Sequence, residues 1–147
     1  MKRCFVLLAL LLAIPFAAPA PATAQEPAEA GETRHVTHTY LRAKPGLRED
    51  LITYIRTNWF AMDRIGIEQG LFTSYALLER GESSKADWDV IVAVGYPTAQ
   101  GHDAPGVADA FEAIKAGHKE IKINGRGLVE LGEIVQHHPL TLVTQNS

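Results

Sequence analysis

The chain has 147 residues, 46% of them hydrophobic and 21% charged, with 12 Gly and 8 Pro. That balance suits one globular domain and excludes a disordered acidic tail, a collagen-like chain and a multidomain enzyme. Fourteen Lys and Arg against seventeen Asp and Glu leave a net charge of −3, which argues against a nucleic-acid partner, because phosphate binding needs a basic surface.

The N-terminus reads as an export signal. Lys2 and Arg3 precede an unbroken apolar run, Cys4 to Ile14, and Ala22-Thr23-Ala24 has the small-x-small form of a signal-peptidase site. An apolar helix of that length reaches only about 16 Å, half of a hydrocarbon core about 30 Å thick, so no stable membrane anchor is expected. Cleavage is expected near Ala24-Gln25, giving a periplasmic or secreted protein. The lone Cys4 leaves with the signal, so the mature chain has no thiol for a disulfide, a thiolate metal site or a nucleophile. It carries 12 basic against 17 acidic residues, a net of −5. The expected organisation is a signal peptide at 1–24, a flexible Pro/Ala/Glu/Gly leader at 25–34, a folded domain at 35–142 and a tail at 143–147.

Within the domain, His35–Arg42 alternates β-branched and aromatic residues and reads as a strand. Lys44-Pro45-Gly46 ends it. Leu51, Ile55, Trp59 and Met62, widened by Ile52 and Phe60, form one face of a helix over about Leu47–Ile65. Leu71–Glu79 and Trp88–Tyr96 read as a hairpin pair of strands around a polar turn. Val107, Phe111, Ile114, His118 and Ile121 recur at helical spacing and predict a second amphipathic helix. Asn124-Gly125-Arg126-Gly127 stops it, and Leu128–His138 reads as a fourth strand, with a break expected at Gly132. The order β-α-β-β-α-β predicts an α+β, ferredoxin-like fold: a four-stranded antiparallel sheet with two helices on one face.

Strands two and three are apolar on both sides. Val90, Val92, Val94 and Tyr96 point one way, and Ile91, Ala93 and Gly95 the other. Two helices cover one face only. The second face is expected to be covered by another copy of the chain, a homodimer, unless the termini fold over it.

The strand–Lys-Pro-Gly–helix opening (TYLRAKPGLREDLITYI), the two central strands and the second helix resemble the dimeric α+β barrel superfamily, which includes antibiotic-biosynthesis monooxygenase-like, EthD-like and stress-responsive barrel proteins. The resemblance spans about Val36–His138. It implies a homodimer that holds a small apolar or aromatic molecule. It also implies cofactor-independent oxygenation or isomerisation of a ring or enolisable compound. The rival readings are a non-catalytic binding or stress-response protein of the envelope, and a nuclear-transport-factor-like α+β cone. The extended run directly after the leader argues against the cone.

The candidate catalytic residues are His38, Tyr40 and Tyr75. If its strand face looks into a cavity, His38 would take a proton near neutral pH, and Tyr40 or Tyr75 would hold the substrate oxygen. The plainer readings are a strand histidine bonded to a neighbour and tyrosines at the rim of the core. The candidate substrate-binding residues are Trp59 and Phe60, as aromatic walls, and His118, whose ring on an apolar stripe needs a partner or a cavity. Arg42 is either a substrate-carboxylate contact or a solvated strand end, and Glu49, Asp50 and Asp63 read as a solvated helix face. No metal site or cofactor is expected. His35 and His38 are three apart on a strand and point to opposite faces, as do adjacent His137 and His138. Neither a P-loop nor a dinucleotide or Gly-x-Ser-x-Gly motif occurs.

Overall fold

A computed structural model describes residues 31–143. The segments expected to be an export signal, most of a leader and the last residues of a tail lie outside the described residues. Strand β1 (His35–Ala43) is central. It pairs antiparallel with β3 (Val90–Tyr96) on one side and β4 (Gly132–Thr141) on the other, and β2 (Ser74–Glu79) pairs with β3, giving the order β2-β3-β1-β4. The fold is the expected α+β, ferredoxin-like antiparallel sheet.

The first helical region begins after Gly46, whose φ of +78° makes the sharp exit from β1 that a side chain would resist. It comprises α1 (Arg48–Tyr54), a π-helical turn (Ile55–Trp59) and α2 (Phe60–Glu68). Its apolar face packs as the periodicity requires. Leu51, Ile52, Tyr54 and Ile55 join Leu41, Val90, Val92 and Leu131 in the central core, and each such burial contributes about 1.5–3 kcal/mol. The π turn adds a residue to the helical repeat, and Asn58 becomes buried with the apolar face.

Three boundaries differ from the sequence reading. The helix α3 (Val107–Gly117) stops four residues before Ile121; His118 is already extended and Ile121 is 52% exposed. Gly117 has low helix propensity, and Asn58 offers the following backbone better partners. Leu128–Leu131 is a short helical turn, α4, not strand. The Glu130 carboxylate accepts the Gly127 N–H at 2.8 Å, and Leu131 drops into the core. Leu71 and Phe72 precede β2, so Phe72 escapes the strand's alternation and packs edge-on against Tyr96 and Phe111 on the helix side.

The segment between α3 and α4 crosses the first helical region as a strap. Asn58 Nδ2 donates to the Ile121 carbonyl and Asn58 Oδ1 accepts the Ile121 N–H. The Tyr54 hydroxyl donates to Glu120 at 2.7 Å. Burial, and then that hydrogen bond, push the Tyr54 hydroxyl up to about 12. Asn124 and Gly125 both have positive φ, the tight turn that an Asn-Gly pair favours, and Asn124 and Arg126 reach Asp50.

The other sheet face carries no helix. Val36, His38 and Tyr40 of β1, Ala76 and Leu78 of β2, Ile91 and Ala93 of β3, and Leu140 of β4 share it, following the strand register.

Candidate ligand cavity

The π turn and α2 run above β1 and β3, and α3 stands beside them. Between these helices and the sheet is a cavity of about 520 Å³, within the usual range for small-molecule sites. Its walls are Trp59, Met62, Phe72, Phe111, Val92, Val94, Leu128 and Ile134. Its polar lining comes from Thr37, Thr39, Asp63, Tyr96, His102, Lys115 and His137.

Each strand contributes by alternation. Thr37 and Thr39 project from β1 toward the helices because Leu41, two residues on, is in the core. Val92, Val94 and Tyr96 do the same from β3. In β4 the register slips: Tyr40 opposes Gln136, but Leu41 opposes Ile134. Val135 is thus an extra bulged residue. A regular strand would send Ile134 and His137 to opposite faces. The bulge turns both toward the cavity, which they line. Both are exposed, so the cavity opens along β4.

Asp63 is the unusual group. It lies four residues after Trp59 on the helical repeat and shares its side of the helix. Its residue is only 4% exposed, and its Oδ2 has no hydrogen-bond partner among the described residues. Burial disfavours the charged form and raises the carboxyl from 3.8 to about 7. This corrects the reading of Asp63 as part of a solvated face. Tyr96 stands nearby, with Thr37 beside its hydroxyl. Burial is the first cause raising that hydroxyl above its ordinary value, and the charge of Asp63 adds to it.

A second polar point lies further along β1, where Thr39 Oγ1 and His137 Nδ1 are 2.9 Å apart. If the threonine donates to Nδ1, the imidazole keeps its Nε2–H; if Nδ1–H donates, the threonine keeps its O–H. One donor stays unspent either way.

The residues singled out from sequence are dispersed. Trp59 lines the cavity. Phe60 packs instead against Tyr75, ring centroids 4.6 Å apart, outside the cavity lining. His38 and Tyr40 project from the opposite face of the sheet, where Tyr40 packs edge-on against Trp88 and His138. They do not converge with Trp59 or Tyr75. His118 Nε2 is 3.0 Å from Asn58 Oδ1; that oxygen only accepts, so Nε2 carries the proton and the ring is a satisfied strap contact. Arg42 pairs with Asp87 and Glu133 at the strand end. Asp63, Tyr96, Thr39 and His137 were missed as site residues. Only the position of Asp63, one helical turn after Trp59, was a signal in the sequence.

Among the described residues, no group of three or more His, Cys, Asp or Glu is placed to hold a metal ion, and no helix is long and apolar enough to cross a membrane. The chain matches no protein-family model, no curated protein and no solved structure.

Proposed function

We propose that this protein binds a small aromatic or enolisable compound in the cavity between sheet and helices and transfers a proton from it to Asp63. That step is shared by cofactor-independent isomerases and cofactor-independent monooxygenases. The observation that carries the reading is Asp63 in a largely apolar cavity, its Oδ2 without a hydrogen-bond partner among the described residues and its titration moved up to about 7. A base is most effective when its pKa lies near the working pH, and a perturbed carboxyl in a cleft marks a site by physical cause rather than by motif.

Asp63 takes a proton from a carbon next to a carbonyl, or from a ring hydroxyl, and becomes neutral. The electron pair released moves onto the substrate oxygen. The unspent donor of the Thr39–His137 pair stabilises that charge. The neutral acid then returns the proton, at another carbon in an isomerisation. The apolar walls beside the buried Asp63 lower the local dielectric and strengthen these interactions. His38 and Tyr40, on the far face, take no part in this scheme, and Trp59 keeps its role as a wall.

The protein is further proposed to be exported, with cleavage near Ala24-Gln25, and to pair with a second copy through the helix-free face. The apolar residues on that face support the pairing. The alternative is a non-catalytic binding protein of the envelope, favoured by the mostly apolar surface of the cavity walls.

Solvent-deuterium exchange into phenolic and cyclic ketones, followed by NMR, tests the catalytic reading. Exchange should rise with pH through about 7 and fall by a hundredfold or more in Asp63→Asn. Bound ketone without exchange supports the binding-protein alternative. Exchange that Asp63→Asn leaves unchanged removes Asp63 from the reaction.

A further inference from the structure

The histidine pairs that are close in sequence divide between the two faces of the sheet, but the strand register makes another pair. His38 of β1 stands directly opposite His138 of β4. Opposed residues of an antiparallel ladder project from the same side, with Cβ atoms about 4.5–5.5 Å apart. That side is the helix-free face, away from the cavity. Tyr40, two residues along β1, packs edge-on against both imidazoles, its ring centroid 6.1 Å from that of His38 and 5.5 Å from that of His138. Both rings are thus held against one side chain.

The donor state of His138 is set as well. Its Nε2 lies 3.3 Å from Gln136 Oε1. That oxygen only accepts, so Nε2 carries the proton and the free lone pair is on Nδ1. Metal-bound imidazoles characteristically donate their other ring N–H to such an acceptor, which fixes tautomer and orientation.

From this arrangement we infer that His38 and His138 together form a site for a divalent transition-metal ion, Zn2+ or Cu2+, separate from the cavity. Imidazole suits these ions, whereas Mg2+ and Ca2+ favour oxygen ligands. Two nitrogens that each hold an ion at about 2.1 Å with tetrahedral geometry stand roughly 3.4 Å apart. Opposed side chains on neighbouring strands can reach that span; rings on opposite faces of a sheet cannot. The remaining coordination positions face outward, to water in a single copy or to the second copy in a pair. The two histidines are 100 residues apart in the chain, so the chelate exists only in the folded protein, and the ion should stabilise it.

The test is calorimetric titration of the purified protein with Zn2+ at pH 7.5, with thermal unfolding and Cu2+ electron paramagnetic resonance beside it. Zn2+ should bind and raise Tm, and Mg2+ should do neither. His38→Ala and His138→Ala should each weaken Zn2+ binding by about tenfold or more and remove the rise in Tm. The double variant should lose no more than either single one, because one ion needs both rings. His137→Ala, on the other face of β4, should leave the Zn2+ affinity within about twofold. The first equivalent of Cu2+ on the unaltered protein should show two imidazole nitrogens, a readout that needs no variant. Single variants that keep their affinity, a double variant whose loss is the sum of the single losses, or one imidazole nitrogen on Cu2+ would each overturn the shared site. Absence of Zn2+ binding up to millimolar concentration would overturn it too. Either result leaves the cavity reading untouched, since His38 and His138 lie on the other face.

Discussion

Asn58 grips the backbone of Ile121 at both of its polar groups. Its Oδ1 accepts the Ile121 N–H at 2.7 Å and its Nδ2 donates to the Ile121 carbonyl at 2.9 Å. The same amide also reaches Tyr54 O and His118 Nε2, so a single side chain, 1% exposed, fastens the strap to the π turn. The strap leads directly to Leu128, a wall of the cavity. Asn58→Ala should destabilise the fold by about 2–3 kcal/mol, because it leaves partly buried backbone groups unpaired. Urea unfolding measures this. A loss below about 0.5 kcal/mol would show that the strap is held by other contacts.

Asp63 ties stability to pH. Its folded titration lies near 7, above the unfolded value near 3.8. Between those values the folded state holds a proton that the unfolded state releases. Stability should therefore fall as pH rises from about 4 to about 7, then level off as far as this group is concerned. Asp63→Asn should remove that slope and raise stability at pH 8 by on the order of 2–4 kcal/mol. Thermal or urea unfolding of both proteins across pH 4–8 gives the comparison. Parallel pH curves would mean that the carboxyl is solvated in the folded protein.

Gly66 sits in α2, where helix propensity alone predicts that alanine would stabilise by about 1 kcal/mol. The structure predicts the reverse. A Cβ at this position would lie far inside contact distance of the Phe72 ring, and Phe72 is held by Tyr96 and Phe111. Gly66→Ala should cost about 1–3 kcal/mol and disturb the cavity through Phe72. A stabilised variant in chemical denaturation would show that the ring moves freely.

Ala93 lies near the centre of the helix-free face, opposite His38 on β1 and Ala76 on β2. If this face pairs two copies, Ala93→Asp buries an unpaired charge in the dimer but meets water in the monomer. Sedimentation should show a dimer for the unaltered protein and a monomer with unchanged circular dichroism for the variant. An unaltered protein that sediments as a single subunit at micromolar concentration would end the pairing proposal.

The main β-α-β-β-α-β order, the ferredoxin-like sheet and most of the core are legible in the sequence, whereas the short α4 turn is not. Alternation in β1 and β3 and the 3–4 spacing of Leu51, Ile55 and Trp59 are local signals with one geometric solution each. The ends of α3 and β4 were less legible. The His118 and Ile121 spacing continues a helical pattern, and Gly117 together with the competing bonds from Asn58, some sixty residues away in the chain, ends it.

The site was decided by tertiary structure. Strand alternation correctly separates His137 from His138, yet nothing local announces the bulge at Val135 that brings Ile134 and His137 to one side. Likewise Asp63 has the sequence neighbourhood of a solvated helix residue. Its carboxyl is pushed up to about 7 because the fold buries it, with no hydrogen-bond partner for Oδ2 among the described residues. Periodicity reports which residues face inward. Whether an inward residue meets a packed wall or an open cavity depends on how distant elements come together, and that information is not local to any stretch of the chain.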